Sequence, residues 1–200
     1  MQHPPDTLHA RKRRKARAMI VSAAFQLFAE HGFDNVTVAA IAERAEVGRT
    51  TFFRYFGDKQ QVLFSDEGAE IERLCTYVRD KAPGDLGDDL GAAIELLREA
   101  YVAVRPHSGL SPAHSVVLVR LLRESTDLRS RYLLTRQQRA IRLAGALTEV
   151  GASEEVAVLA SHMSMACELT AMRLAQGPDV FPDRMDEAYT LLGSLGRGTG

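Results

Sequence analysis

The chain has 200 residues, of which 46% are apolar, enough to bury a sizeable core in one or two domains. Its formal net charge is only −1, yet residues 1–60 hold ten Lys/Arg against six Asp/Glu and the rest fifteen against twenty, so a basic head precedes an acidic body and a polyanionic partner is expected at one end. Cys75 and Cys167 fit neither a disulfide framework nor a zinc pattern, no uncharged apolar stretch approaches the ~18 residues of a membrane span, and the polar, basic N-terminus lacks a signal peptide's apolar segment; these features predict a cytoplasmic protein with no membrane association, metal or cofactor.

The pattern is helical from end to end. Residues 1–10, with Pro4-Pro5, read as a disordered lead-in to a basic block, Arg11 to Arg17, in which six of seven residues are Lys or Arg. A helix follows over about 14–31, with Ile20, Ala24, Leu27 and Phe28 as its apolar stripe. Gly32 is its left-handed stop, and Phe33 folds back on Phe28. Thr37 caps a second helix whose inner face is Val38, Ile41, Ala42 and Ala45. A turn at 46–48 leads to a third, 49–55. Asp58 caps a long fourth helix reaching about Lys81. Further helices are expected from Asp85 to about Arg105, from a Ser111-Pro112 start to about Arg123, from Thr126 to Val150, from Ser153 to about 176, and from Pro182 to about Leu195. The expected fold class is all-α: an N-terminal three-helix domain, residues 1–57, and a C-terminal helical bundle, residues 58–200.

Helices over 38–45 and 49–55, joined by about three residues, have the form of a helix-turn-helix. Neither is long enough to stand alone, so they share a small core of Ile41, Ala42, Val47 and Phe52 with the first helix. Arg49, Thr50, Phe53 and Arg54 are left facing outward. Arg pairs bidentately with guanine, and Thr offers a methyl or a hydroxyl to a base edge, so these residue types suit a major groove.

Residues 37–63, from Thr37 through Ile41-Ala42, Val47, Phe52-Phe53, Phe56 and Lys59 to Leu63, resemble the DNA-binding signature of the tetracycline-repressor (TetR) family without a gap. The resemblance covers residues 14–65, about a quarter of the chain. It implies a homodimeric regulator on a double-stranded DNA operator. It assigns Thr37 and Val38 to the start of the second helix beside a phosphate, and Arg49, Thr50 and Thr51 to the opening of the recognition helix. Phe53, Arg54 and Tyr55 fall on bases and backbone, and Lys59 on a phosphate. Apart from the resemblance, the basic block over 11–17, with Arg14 and Lys15, reads from its position before the first helix as an arm on phosphates or in the minor groove, the alternative being a solvated tail. Two positions depart from the family pattern. Phe53 stands where a Tyr usually donates to a phosphate. Glu46 stands where the turn usually has Gly, and the expectation is that Gly48 absorbs the strain.

In the second half, Tyr77, Tyr101, His114 and Cys167 are the candidate lining of a pocket for a small hydrophobic effector. Small residues at 157, 160, 164, 171 and 175 let the last two long helices meet their copies in a dimer, or else pack closely within one subunit. The helix over 58–81 is the expected lever between ligand and DNA. The principal reading is a repressor released by its ligand. A regulator without an effector, or an activator, is the second. A helical enzyme is the third, and the sequence lacks a phosphate loop, a nucleophile elbow and paired Glu-x-x-His motifs.

Overall fold

The structure is a computed structural model that describes residues 8–107, 111–175 and 180–195. The expected lead-in before Leu8, the stop at Gln176-Gly177-Pro178 and the tail after Leu195 lie outside the described residues. Within them the fold is all-α. Ten helices follow one another: α1 (Leu8–His31), α2 (Val38–Arg44), α3 (Arg49–Tyr55), α4 (Lys59–Leu63), α5 (Glu67–Lys81), α6 (Leu90–Val104), α7 (Pro112–Glu124), α8 (Thr126–Glu149), α9 (Glu154–Leu174) and α10 (Val180–Leu195). The chain divides into two compact units, Met1–Ser65 and Asp66–Gly200. Among the described residues, no helix is long and apolar enough to cross a membrane.

In the first unit, α1 packs on α2 and α4, and α2 on α3. Ile20, Ala24, Leu27 and Phe28 are buried as the stripe requires, together with Ile41, Ala42, Phe52, Phe56 and Val62. Gly32 takes φ +76° and its N–H donates to the Phe28 carbonyl, while Phe33 stacks on Phe28 at 5.2 Å. Thr37 caps α2 by accepting from Ala40 N–H at 3.1 Å, and Asp58 caps α4 by accepting from Gln61 N–H at 2.7 Å.

Several sequence expectations are corrected. Helix α1 begins at Leu8, so the basic block forms its first turns instead of a loose arm. The long helix expected over 58–81 is two helices: the chain turns at Phe64–Asp66, where the Ser65 carbonyl accepts from the Arg17 guanidinium. The first compact unit therefore takes in α4 and ends at Ser65, beyond the expected boundary at 57. The hydroxyl that caps α8 is that of Ser125, accepting from Leu128 N–H at 3.3 Å, with Thr126 one residue inside. And Glu46, not Gly48, adopts the left-handed conformation: φ is +53° at Glu46 and −70° at Gly48.

The second unit is built on α5, α6, α8 and α9, with α7 against α8 and α10 against α9 and α6. Its apolar core includes Leu74, Val78, Leu97, Ala100, Leu143, Leu147 and Ala157. The loop before α6 meets the turn before α9. Gly87 N–H donates to the Gly151 carbonyl at 3.0 Å, and Ser153 N–H donates to the Gly87 carbonyl at 2.9 Å. Gly151 has φ +90°, and a Cβ there would lie 3.1 Å from the Asp85 backbone, so both the torsion and the close approach require glycine. Ala157, Ala160, Ser164, Ala171 and Ala175, expected to face a second subunit, are instead buried inside their own. The outward side of α9 carries Val158, Leu159 and Leu174, and that of α10 carries Leu191.

Candidate DNA-binding surface and interior ion cluster

The turn between α2 and α3 sets the outer face of α3. Glu46 N–H donates to the Glu43 carbonyl at 3.0 Å and Val47 N–H to the Ala42 carbonyl at 2.9 Å, the paired bonds of a Schellman stop. That geometry needs a left-handed residue at position 46, and Glu46 supplies it at a cost of about 1 kcal/mol relative to Gly. Helix α3 then turns Phe52 fully inward. Arg49, Thr50, Phe53 and Arg54 are exposed, and Thr51 and Tyr55 are half-buried. Phe53 is 50% exposed and stands edge-on to Phe52, with ring centroids 5.5 Å apart. The Arg54 guanidinium lies 5.2 Å from the centre of the Tyr55 ring.

The first turns of α1 lie alongside the end of α3. Lys12, Arg13 and Ala16 from α1, with Arg54 and Tyr55 from α3, line a surface cleft of about 590 Å³. Arg14 and Lys15 are exposed on the same turns of α1. The basic residues thus converge at one end of α3. Thr37 is exposed and Val38 half-buried at the start of α2. A bidentate pair between Arg44 and Glu30, at 3.0 and 3.1 Å, ties α2 to α1, and this hydrogen bonding draws the Glu30 carboxyl below its ordinary value.

Lys59 is placed differently from expectation. Its ammonium donates to the carbonyls of Phe33 at 2.7 Å, Val36 at 2.9 Å and Asp34 at 3.4 Å, and sits 4.2 Å from the centre of the Phe33 ring. All three of its donors are directed at the loop between α1 and α2. It clamps that loop.

In the second unit, charged side chains converge inside the bundle. Arg136 and Arg139 of α8 are 3% and 2% exposed, and Glu168 of α9 is 6% exposed. Glu67 on the first turn of α5 forks between the two guanidiniums, pairing with Arg136 and, at 2.8 Å, with Arg139. Glu168 forks between them from the other side, 2.5 Å from Arg136 and 3.5 Å from Arg139. The Tyr132 hydroxyl donates to Glu168 at 3.3 Å, and Glu70 lies 3.3 Å from Arg139. Burial disfavours charge on Glu168, but Arg136 and Arg139 outweigh it and hold the carboxyl below its usual value. Burial dominates at Glu70 and pushes its carboxyl up.

Residues 20–65 match the family profile described as bacterial regulatory proteins of the tetR family. The transcriptional regulator TcmR of Streptomyces glaucescens is 30% identical over 139 residues, 68% of this chain and 61% of TcmR. The chain belongs to the TetR family. The transcriptional repressor AcnR of Corynebacterium diphtheriae is 23% identical over 186 residues, 88% of each chain. Among solved structures, a TetR-family repressor, FadR of Thermus thermophilus, in complex with lauroyl-CoA, superposes with a TM-score of 0.52. That match is 22% identical and covers 88% of this chain and 92% of that one, so it speaks for the fold alone. The match to TcmR spans about three fifths of that relative's length. These TetR-family relatives carry the names of transcription regulators, not of enzymes.

Three of the candidate pocket residues of this TetR-family chain are linked through Tyr101. Tyr101 and Cys167 share a small packed cluster with Met185 and Tyr189, and Tyr101 also packs, with Tyr77, on the larger core among α5, α6, α8 and α9. His114 lies on α7, where burial lowers its pKa. The ion cluster was missed from sequence, yet it leaves a trace there. Leu128, Tyr132, Arg136, Arg139, Leu143 and Leu147 recur at helical spacing, so two arginines occupy the middle of an apolar stripe.

Proposed function

We propose that this chain is a sequence-specific DNA-binding transcription regulator, a homodimeric repressor released from its operator by a small, largely hydrophobic ligand. The observation that carries the DNA-binding reading is the outward face of α3, Arg49, Thr50, Phe53 and Arg54, with Lys12 and Arg13 of α1 lining a cleft beside Arg54. Arg and Thr supply base-edge contacts, and the neighbouring cations supply the phosphate contacts that dominate affinity. Phe53 has no hydroxyl for a phosphate, so it packs on a sugar or a thymine methyl. The repressor reading draws on relatives named as repressors, and the ligand reading on the Thermus FadR complex with lauroyl-CoA. The apolar side chains left exposed on α9 and α10, Leu159, Leu174 and Leu191, support those helices as the dimer contact.

Selection of bound duplexes from a random library tests this reading. It should return a near-palindrome whose half-sites suit a two-fold dimer. On that operator, Arg49→Ala should lose about 1–3 kcal/mol and relax preference at one base pair in each half-site. Equal loss on operator and scrambled DNA would reduce Arg49 to a backbone contact.

A further inference from the structure

The ion cluster of the second unit is expensive to maintain. Two guanidiniums taken out of water are compensated only where every donor finds an acceptor, and an apolar core of similar volume is often the more stable arrangement. Here the compensation is incomplete. The Nε–H groups of Arg136 and Arg139 are both buried and have no hydrogen-bond partner. The cluster therefore offers more donors than its carboxylates satisfy.

Its acidic members are not equivalent. The Glu168 side chain is 8% exposed and accepts from Arg136 and Tyr132. The Glu67 side chain is 17% exposed, on the first turn of α5, just after the turn at Phe64–Asp66. Glu67 alone combines a route to solvent with contact to both arginines. Once it leaves, Arg136 keeps only Glu168, and Arg139 keeps Glu168 and Glu70. The guanidinium donors that Glu67 held are then left open beside the two unpartnered Nε–H groups, and one carboxylate fits them. Apolar contact is close at hand: the Tyr101 ring centre lies 5.9 Å from the Arg139 guanidinium carbon and 6.4 Å from the Tyr189 ring.

We propose that the Arg136–Arg139 pair is the anchor for the carboxylate of an amphipathic organic acid, which binds by displacing Glu67 and so frees the first turn of α5. This deepens the reading of the chain as a ligand-released DNA-binding protein and rests on it. Glu67 stands two residues beyond Ser65, where the first unit ends, so its fork to α8 ties the entry of α5 to the bundle. The incoming acid replaces the charge of Glu67 but not its covalent bond to α5.

Removing the Glu67 carboxylate separates charge from tether. Glu67→Ala should bind acetate saturably, seen as a rise in Tm, whereas acetamide raises it no more than it does for the wild type. The same variant should bind operator about 5–150-fold more weakly than wild type, with or without acetate, because acetate fills the site without holding α5. Wild-type operator affinity, or affinity restored by acetate, would overturn the proposal, as would acetate and acetamide acting alike. If Glu67→Ala folds only in acetate, the anchor is upheld. If it fails in both, Glu67→Gln decides: wild-type operator affinity in that variant overturns the proposal, and weakening by fivefold or more upholds it. A wild-type chain that selects no duplex removes the DNA-binding reading and leaves the acetate arm standing.

Discussion

The two units place their charges in opposite ways. In the first, cations lie on the surface, as at Arg49 and Arg54, or point at backbone carbonyls, as at Lys59, around an interior of Phe, Ile, Leu and Ala. In the second, guanidiniums lie in the interior among carboxylates, and the outward faces of α9 and α10 carry Leu159, Leu174 and Leu191. A surface cation is well solvated and can be transferred to a polyanion at little cost. A buried one holds its partners in a single geometry, and its loss strands them. The first arrangement leaves cations available to a polyanion, and the second fixes its partners inside the bundle.

The sharpest way to break the contrast is Arg139→Ala, which strands Glu67 and Glu168 without half of their compensation. The expected loss is about 3–5 kcal/mol of folding stability, read from urea unfolding. Retention of wild-type stability would mean that the interior pairs are screened like surface ones. Next is Lys59→Met, which takes the ammonium from the Val36 carbonyl and leaves the Phe33 carbonyl only the Val36 N–H at 3.3 Å, and should cost about 1–3 kcal/mol. Its DNA affinity, measured where the variant is fully folded, should keep the wild-type salt slope. Arg14→Ala should flatten that slope by about one unit. A flattened slope for Lys59→Met would return Lys59 to the surface class.

Glu46→Gly relieves the left-handed backbone between α2 and α3 and should stabilise the first unit by up to about 1 kcal/mol. Calorimetry showing a lower Tm would point to a contact of the Glu46 side chain worth more than its strain. The finest effect is a change of slope instead of level. Folding raises the Glu70 pKa, so its contribution is fully present below the ordinary carboxyl range and is lost as pH climbs through the raised value. Glu70→Gln, a permanent analogue of the neutral acid, should gain on wild type as pH rises through that window. Parallel stability curves for the two proteins would show that Glu70 titrates as it does in the unfolded chain.

Local signals carried far in this chain. The caps at Thr37, Asp58 and Ser111, the glycine stop at Gly32 and the Phe28–Phe33 contact are written in neighbouring residues, and each is found where the residues placed it. What was not legible depends on partners far along the chain. Lys59 reads as an available cation because its acceptors are backbone carbonyls more than twenty residues away, which no residue type announces. The break at Phe64–Asp66 is hidden for the same reason, since the Arg17 guanidinium that takes the Ser65 carbonyl is remote in sequence. Arg136 and Arg139 sit in an apolar stripe, a local anomaly, but Glu67 and Glu168 become their partners only through the packing of α5 and α9 on α8. The outward placement of Arg49, Thr50, Phe53 and Arg54 was readable because their surroundings are short-range. The surroundings of Tyr77, Tyr101 and Cys167 were not, because several helices have to meet before they exist.

The junction of Gly87 with Gly151 and Ser153 has a kinetic meaning. It joins residues dozens of positions apart, and closing a loop of that size costs a flexible chain on the order of 4 kcal/mol of entropy. Two backbone hydrogen bonds return about 1–3 kcal/mol between them. The junction cannot nucleate folding. The helical hairpins on either side must assemble first and deliver its strands of backbone already aligned, so this contact closes among the last in folding, and substitutions confined to it should speed unfolding while leaving the folding rate almost unchanged.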